Sequence, residues 1–201
     1  MVEDEEDLHV HKHLLSGRSE LFKADIDNLE DEYWNWAWFN LDLEAASRYL
    51  GFLYGQSMWA YTPGANINNE WCTLNELYHF TMDREDFDAA DACVDGIREM
   101  LEGWRGDLTQ PFVHLQLFRT DFKKLCERII VDYMVYRSCN IKQWIDAYEG
   151  FGDPGSLQDA LSKKFAEEAQ RKKDRFGEPD LMERCRYHLH VKKGLPCYLD
   201  K

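Results

Sequence analysis

Four side chains near the C-terminus have the chemistry and the spacing of a zinc site. They follow the pattern C-x2-H-x-H-x6-C and are Cys185, His188, His190 and Cys197. Two thiolates and two imidazoles are a ligand set that tetrahedral zinc accepts, and Gly194 and Pro196 supply a tight turn that returns the last cysteine to the other three. A tail this short cannot build a hydrophobic core, so a bound metal would explain how it folds.

The same tail has a second interpretation. Its spacing matches no standard zinc finger, and two histidines separated by one residue need an irregular backbone to reach one ion. A tail that packs on the rest of the chain with metal-free Cys and His side chains is the default alternative. From the sequence we therefore assign no metal site, no cofactor and no catalytic residue, and the role of Cys185, His188, His190 and Cys197 stays open.

A second group of histidines lies near the N-terminus. On a strand, His9, His11 and His13 would share a face and could hold a metal. Leu14, Leu15 and the apolar spacing beyond them favour a helix that has begun by His13, which would scatter the three imidazoles. We predict structural or surface roles for these histidines.

Recognisable catalytic motifs are missing from the sequence. It contains no GxxxxGK, GxGxxG, GxSxG or HExxH pattern. Paired carboxylates occur often, but a chain with 38 acidic residues has such pairs by chance, so none is identified as a general acid or base. We predict that the protein is not an enzyme.

Composition and charge exclude further classes. Of 201 residues, 44% are hydrophobic and 14% aromatic, which indicates a folded globule. A net charge of −14 argues against nucleic-acid binding, which needs clustered Lys and Arg. Residues 1–110 carry 24 acidic and 7 basic side chains, whereas residues 111–201 carry 14 and 17. Six scattered cysteines, an acidic start and no long apolar run predict an intracellular protein, cytoplasmic or nuclear, without a membrane segment.

The sequence predicts mostly helices as the elements that position the candidate site residues. Asp42 caps a helix that ends near Gly55, and apolar stripes predict helices over residues 71–78, 87–101, 122–136 and 141–148. The tryptophans Trp34, Trp36 and Trp38 alternate as on a strand, where they form either core packing or an exposed partner-binding patch. Ser156 with Asp159 predicts the start of a later helix.

The order of these motifs resembles the BTB/POZ domain family. Residues 8–22 have the look of its opening, with Val10, His11 and Lys12 followed by two leucines and then by Ser19 and Phe22. Residues 39–54, ending in Leu53-Tyr54, and residues 74–101 are similar to its strand–helix segment and its last helical pair. The acidic arm, a long surface loop predicted over residues 56–69 and the helical second half are most similar to short BTB proteins of filamentous fungi.

This resemblance implies a protein–protein interaction module that binds itself, another BTB protein or a cullin-based ubiquitin ligase. Two departures limit that implication. The leading strand of the family has no counterpart before Val10, which puts the usual dimer contact in doubt. The cullin-binding motif has its nearest match in Leu29-Glu30-Asp31, with Asp where the family has Glu. The alternative function is a metal-binding regulatory protein or metalloenzyme that uses the C-terminal Cys/His cluster.

The sequence thus predicts an α+β fold, a BTB/POZ-like small sheet flanked by helices and followed by an all-helical extension. We place an acidic arm at residues 1–7, the BTB/POZ-like domain at 8–103, the helical extension at 104–180 and the Cys/His-containing tail at 181–201.

Overall fold

The computed structural model describes residues 10–28, 41–59, 67–103, 120–136, 159, 161–163, 166–167, 185 and 187–200. Seven α-helices with defined bounds lie in these residues: α1 (Lys12–Ser16), α2 (Glu20–Asp27), α3 (Leu43–Leu53), α4 (Ile67–Asp83), α5 (Phe87–Gly103), α6 (Thr120–Tyr136) and α7 (Leu189–Lys193). A 3-10 helix, Tyr198–Asp200, follows α7.

The predicted α+β fold with a small sheet is wrong for the residues that the structure describes, because these are helical and include no strand. The strand end expected at residues 8–10 was inferred from a short alternation of apolar and polar residues. Such a short pattern does not separate a strand from extended residues that lead into a helix. In the structure Val10 is followed directly by His11, the N-cap of α1. The Trp34, Trp36 and Trp38 segment and residues 141–148 lie outside the described residues.

The helix start predicted at Asp42 is confirmed, and Ser19, which was not predicted as a cap, fixes the start of α2. Asp42 Oδ1 accepts a hydrogen bond of 2.7 Å from the Ala45 amide at the start of α3, and Ser19 Oγ accepts one of 3.1 Å from the Phe22 amide at the start of α2. Both satisfy an amide that has no partner within its own helix. After α3, Gly55 has a φ of +84°, a conformation that favours glycine.

The core is centred on α4 and α5, which follow one another after a three-residue connection. Both helices have apolar stripes at spacings of three and four, as the sequence predicted for α5, and these stripes include the fully buried Leu74, Leu77, Val94 and Ile97. α6 closes one side of this pair, with the Phe122 ring stacked on Tyr78 at 4.2 Å between centroids. α5 is therefore covered by α4 and α6 and still offers a face to the C-terminal tail.

A buried carboxylate joins the N-terminal helices to the start of α5. Asp86 is 1% exposed and accepts hydrogen bonds from the Arg18 guanidinium at 2.6 and 2.9 Å and from the Tyr49 hydroxyl at 2.6 Å. Its Oδ1 also accepts from the Ala89 amide at 3.2 Å, in the first turn of α5. One side chain thus connects three separate segments of the chain.

Gly96 on α5 lies where two neighbours approach too closely for a larger residue. A Cβ there would stand 3.0 Å from Trp59 Cβ and 3.2 Å from Leu74 Cδ2. We expect Gly96→Ala to lower the free energy of unfolding by about 1–3 kcal/mol, since overpacking outweighs the helix propensity of alanine. Urea denaturation measures the change.

Gly51 on α3 is the matched control for this substitution. A Cβ there would meet chiefly the Oε1 end of the Gln56 side chain, at 2.7 Å, and that flexible side chain can move away. Gly51→Ala should therefore be neutral or stabilising. Equal effects of the two substitutions would contradict the close packing assigned to Gly96.

No helix among the described residues is long and apolar enough to cross a membrane.

Candidate metal centre

The C-terminal tail changes conformation at its first histidine. His188 has an extended backbone (φ −75°, ψ 144°) and is the N-cap of α7, whereas His190 lies in the first turn of that helix. This change supplies the irregular backbone that two histidines separated by one residue require. After α7, Gly194 has a φ of +68° and the Leu195 amide donates to the His190 carbonyl at 3.0 Å, which returns the chain towards Cys197.

The four side chains named from the sequence converge in space. One ligand atom from each of the two cysteines and two histidines lies within 4.8 Å of the other three, and three of the residues are buried while Cys185 is half-buried. The Cys185 and Cys197 sulfurs are 3.6 Å apart as free thiols. Two sulfurs bound to one tetrahedral zinc at about 2.3 Å each would stand about 3.8 Å apart.

His188 is oriented by α5 and keeps one nitrogen free. Its ring is 1% exposed, and its Nε2 lies 3.0 Å from Asp95 Oδ1. Its Nδ1 is buried and has no hydrogen-bond partner. A buried imidazole nitrogen without a partner is costly unless it binds something, and the nearby thiols indicate a metal ion.

His190 is oriented in the same way by the preceding turn of α5. Its Nδ1 lies 2.7 Å from Asp91 Oδ2, which leaves Nε2 as the nitrogen for a metal. The Asp91 carboxylate also accepts from the Leu189 and His190 amides, at 2.5 and 3.2 Å, so it caps α7 from outside. Asp91 is fully buried. The tail therefore supplies three hydrogen-bond contacts to this buried carboxylate.

Asp95 is held by several donors in addition to His188. Tyr198 donates to its Oδ2 at 2.6 Å, and Arg98 approaches its Oδ1 at 3.1 Å. Burial by itself would raise the pKa of Asp95, but the hydrogen bonds from His188 and Tyr198 outweigh it and bring that pKa below its ordinary value. The carboxylate is thus ionised and a strong acceptor for the imidazole.

A separate contact fixes the tail just before the first histidine. Tyr187 is buried, its hydroxyl donates to Asp132 on α6, and the Arg98 and Arg128 guanidiniums lie 6.0 and 5.9 Å from its ring centroid. The Phe52 ring of α3 contacts Tyr198 at 6.1 Å on the other side. The tail is consequently attached to α3, α5 and α6 on both sides of the two histidines.

Beside the centre, a cleft of about 540 Å³ separates the end of α3 from α5 and the 3-10 helix. Asp95 and Tyr198 contribute to its wall, together with Arg18, Phe52 and Met58. The position of the tail therefore decides the shape of this cleft.

These residues fit zinc in ligand type, number and supporting contacts. Two thiolates and two imidazoles are the donor set of structural zinc sites, and each imidazole has a carboxylate on its second nitrogen, an arrangement usual for metal-bound histidine. Four protein ligands also complete a tetrahedral shell. Zinc bound here would have no open position for substrate.

Sequence reasoning named the four ligands without deciding between zinc and a metal-free tail, and it missed Asp91 and Asp95. Their spacing of four residues on one helix face was a usable signal, but they stand among many other acidic residues. The predicted helix start near His13 is confirmed, because α1 begins at Lys12. His11 Nδ1 lies 2.6 Å from the Tyr54 hydroxyl, and His9 is outside the described residues.

Removing the charge of Asp91 should weaken metal binding without removing a ligand. We expect Asp91→Asn to lower zinc affinity about 10- to 100-fold, since an amide orients and polarises His190 less well than a carboxylate does. Competition with a chromophoric chelator measures the affinity.

Asp88 is the control for this substitution, because it lies on the same helix but contacts Arg18, 3.7 Å away. Asp88→Asn should leave zinc affinity unchanged. An Asp91→Asn protein with wild-type affinity would show that His190 does not need this carboxylate.

No protein-family model, curated protein or solved structure matches this chain.

Proposed function

We propose that this protein binds one zinc ion through Cys185, His188, His190 and Cys197, and that the ion holds the C-terminal tail on the helical core. The observation that carries the proposal is the buried, unpartnered Nδ1 of His188 beside two thiols and a second imidazole. The carboxylates of Asp91 and Asp95 support it, since each orients one imidazole from α5.

The role of this ion is structural. Four protein ligands fill the tetrahedral shell, whereas catalytic zinc keeps one position for water or substrate. The ligands also span only the tail, which has few apolar contacts of its own, so metal binding and tail folding are coupled. We accordingly propose a non-catalytic protein.

Native mass spectrometry of protein purified without chelator tests this proposal. The expected mass exceeds that of the chain by one zinc ion, and Cys185→Ser or His188→Ala removes that excess. Metal-free protein in which limited proteolysis leaves the tail intact would contradict the proposal, because the tail would then fold without an ion.

Protein–protein interaction is a second proposed function, favoured by the surface of the tail. Val191, Leu195 and Leu199 are 60%, 44% and 43% exposed, three large apolar side chains within nine residues. Apolar side chains concentrated in this way are typical of binding surfaces. This role agrees with the one implied by the BTB/POZ resemblance, and zinc would then fix the segment that contacts the partner.

The partners proposed are a second copy of the chain, a BTB protein or a cullin. The Leu29-Glu30-Asp31 segment considered for cullin docking lies outside the described residues. We also propose an intracellular location, because two zinc-binding thiols persist best in a reducing compartment.

Light scattering and affinity purification test the interaction proposal. We expect self-association or reciprocal co-purification with a cullin or BTB protein, and we expect Leu195→Asp or Leu199→Asp to weaken either one. A strict monomer that retains no protein would contradict it.

A further inference from the structure

Two thiols of the proposed zinc centre are close enough to react with each other. The Cys185 and Cys197 sulfurs are 3.6 Å apart, and a disulfide needs them at about 2.05 Å, a movement of less than 2 Å. Cys185 is half-buried whereas Cys197 is buried, so Cys185 is the more accessible of the two to a small oxidant.

The other described cysteines are in environments that suppress oxidation. Burial raises the pKa of the Cys93 and Cys126 thiols well above the ordinary value, so these remain protonated and unreactive. Cys72 is exposed, but desolvation and the nearby Glu76 and Asp42 carboxylates raise the pKa of its thiol. Zinc binds cysteine as the thiolate, so a bound ion would make Cys185 and Cys197 the nucleophilic sulfurs among the described cysteines.

We infer that Cys185 and Cys197 form a redox-sensitive clasp, in which a peroxide converts the zinc-bound dithiolate to a disulfide and releases the ion. This inference rests on the proposed zinc site and concerns its regulation. The four ligands hold the tail in the reduced state, and the oxidised pair can no longer bind zinc.

The chemistry balances with hydrogen peroxide as the oxidant. The Cys185 thiolate attacks one peroxide oxygen, the O–O bond breaks, and hydroxide leaves as Cys185 becomes a sulfenic acid. The Cys197 thiolate then attacks the Cys185 sulfur, the S–S bond forms, and the S–O bond breaks with loss of a second hydroxide. Two protons from solvent convert both hydroxides to water. The sulfurs lose two electrons, which the peroxide gains.

Loss of the ion should loosen the tail rather than unfold the core. His188 and His190 keep their carboxylate partners on α5, and Tyr187 keeps Asp132. Tyr198, in the 3-10 helix directly after Cys197, lines the cleft beside α5. Oxidation would therefore alter the shape of that cleft.

The test treats the zinc-loaded full chain with hydrogen peroxide. A chromophoric chelator measures released zinc, and peptide mass spectrometry locates the disulfide. We expect about one zinc ion released for each Cys185–Cys197 disulfide, with zinc rebinding after dithiothreitol is added. Cys72→Ser, which removes an exposed thiol outside the centre, should release zinc at the wild-type rate.

Two results would overturn the inference. One is zinc that stays bound at a peroxide concentration that fully oxidises free glutathione. The other is zinc release without a Cys185–Cys197 disulfide, for example by sulfinic acid formation. Bound zinc that resists peroxide would contradict only the redox-sensitive clasp. Protein that never binds zinc would contradict both the proposed function and the clasp.

Discussion

Replacing Cys197 with serine is expected to reduce bound zinc from about one ion per chain to almost none and to lower the melting temperature by about 10 °C. The hydroxyl is a poor zinc ligand at neutral pH, so the shell loses one of its four donors. At free zinc about 1,000 times the dissociation constant, the bound ion adds about 4 kcal/mol of stability, and this contribution disappears with the ion. Atomic emission for zinc and thermal unfolding followed by circular dichroism measure both effects.

The control for this substitution is Cys72→Ser, which makes the same chemical change at an exposed thiol outside the cluster. It should keep its zinc and its melting temperature. A Cys197→Ser protein that binds zinc as the wild type does would show that this sulfur is not a ligand.

Asp86→Ala should have an effect of similar size through the core. Its carboxylate pairs with the Arg18 guanidinium, accepts a hydrogen bond from the Tyr49 hydroxyl and caps α5 through the Ala89 amide. Removing it takes away the nearer carboxylate of the Arg18 guanidinium, which keeps Asp88 at 3.7 Å, and the acceptor of the buried Tyr49 hydroxyl. We therefore expect the free energy of unfolding to fall by about 3–5 kcal/mol. Urea denaturation measures this fall, and zinc content should stay unchanged in the folded protein.

Asp25 provides the matched comparison, since it also pairs with an arginine, Arg84, but at the surface, where its side chain is 40% exposed. Asp25→Ala should cost less than about 1 kcal/mol because solvent screens the pair. Equal costs for Asp86→Ala and Asp25→Ala would contradict the role assigned to the buried carboxylate.

The helices could be predicted because their signals are local. Asp42 caps α3 at the position where the sequence has a capping residue ahead of an apolar stripe. The prediction of a sheet was unreliable because it began from the three alternating residues Leu8-His9-Val10. So short an alternation does not separate a strand from extended residues that lead into a helix. The BTB/POZ resemblance also implied a small sheet, whereas the described residues form helices.

In the candidate site, too, the features that are local in sequence could be predicted and the long-range contacts could not. Cys185, His188, His190 and Cys197 are close in sequence, so their spacing named them as ligands. The support for zinc over a metal-free tail comes from long-range packing, which the spacing of the ligands does not encode. Asp91 and Asp95 lie about a hundred residues from the histidines that they orient, and only the docking of the tail on α5 brings them together. Their spacing of four residues places both carboxylates on one face of α5, but many other acidic residues of this chain have the same spacing.

X-ray absorption at the zinc edge of the zinc-loaded protein tests the central claim most directly. The structure predicts two sulfur ligands at about 2.3 Å and two nitrogen ligands at about 2.0 Å, with multiple scattering from two imidazoles. A shell of oxygen ligands, or one without sulfur, would contradict a zinc ion bound by Cys185, His188, His190 and Cys197.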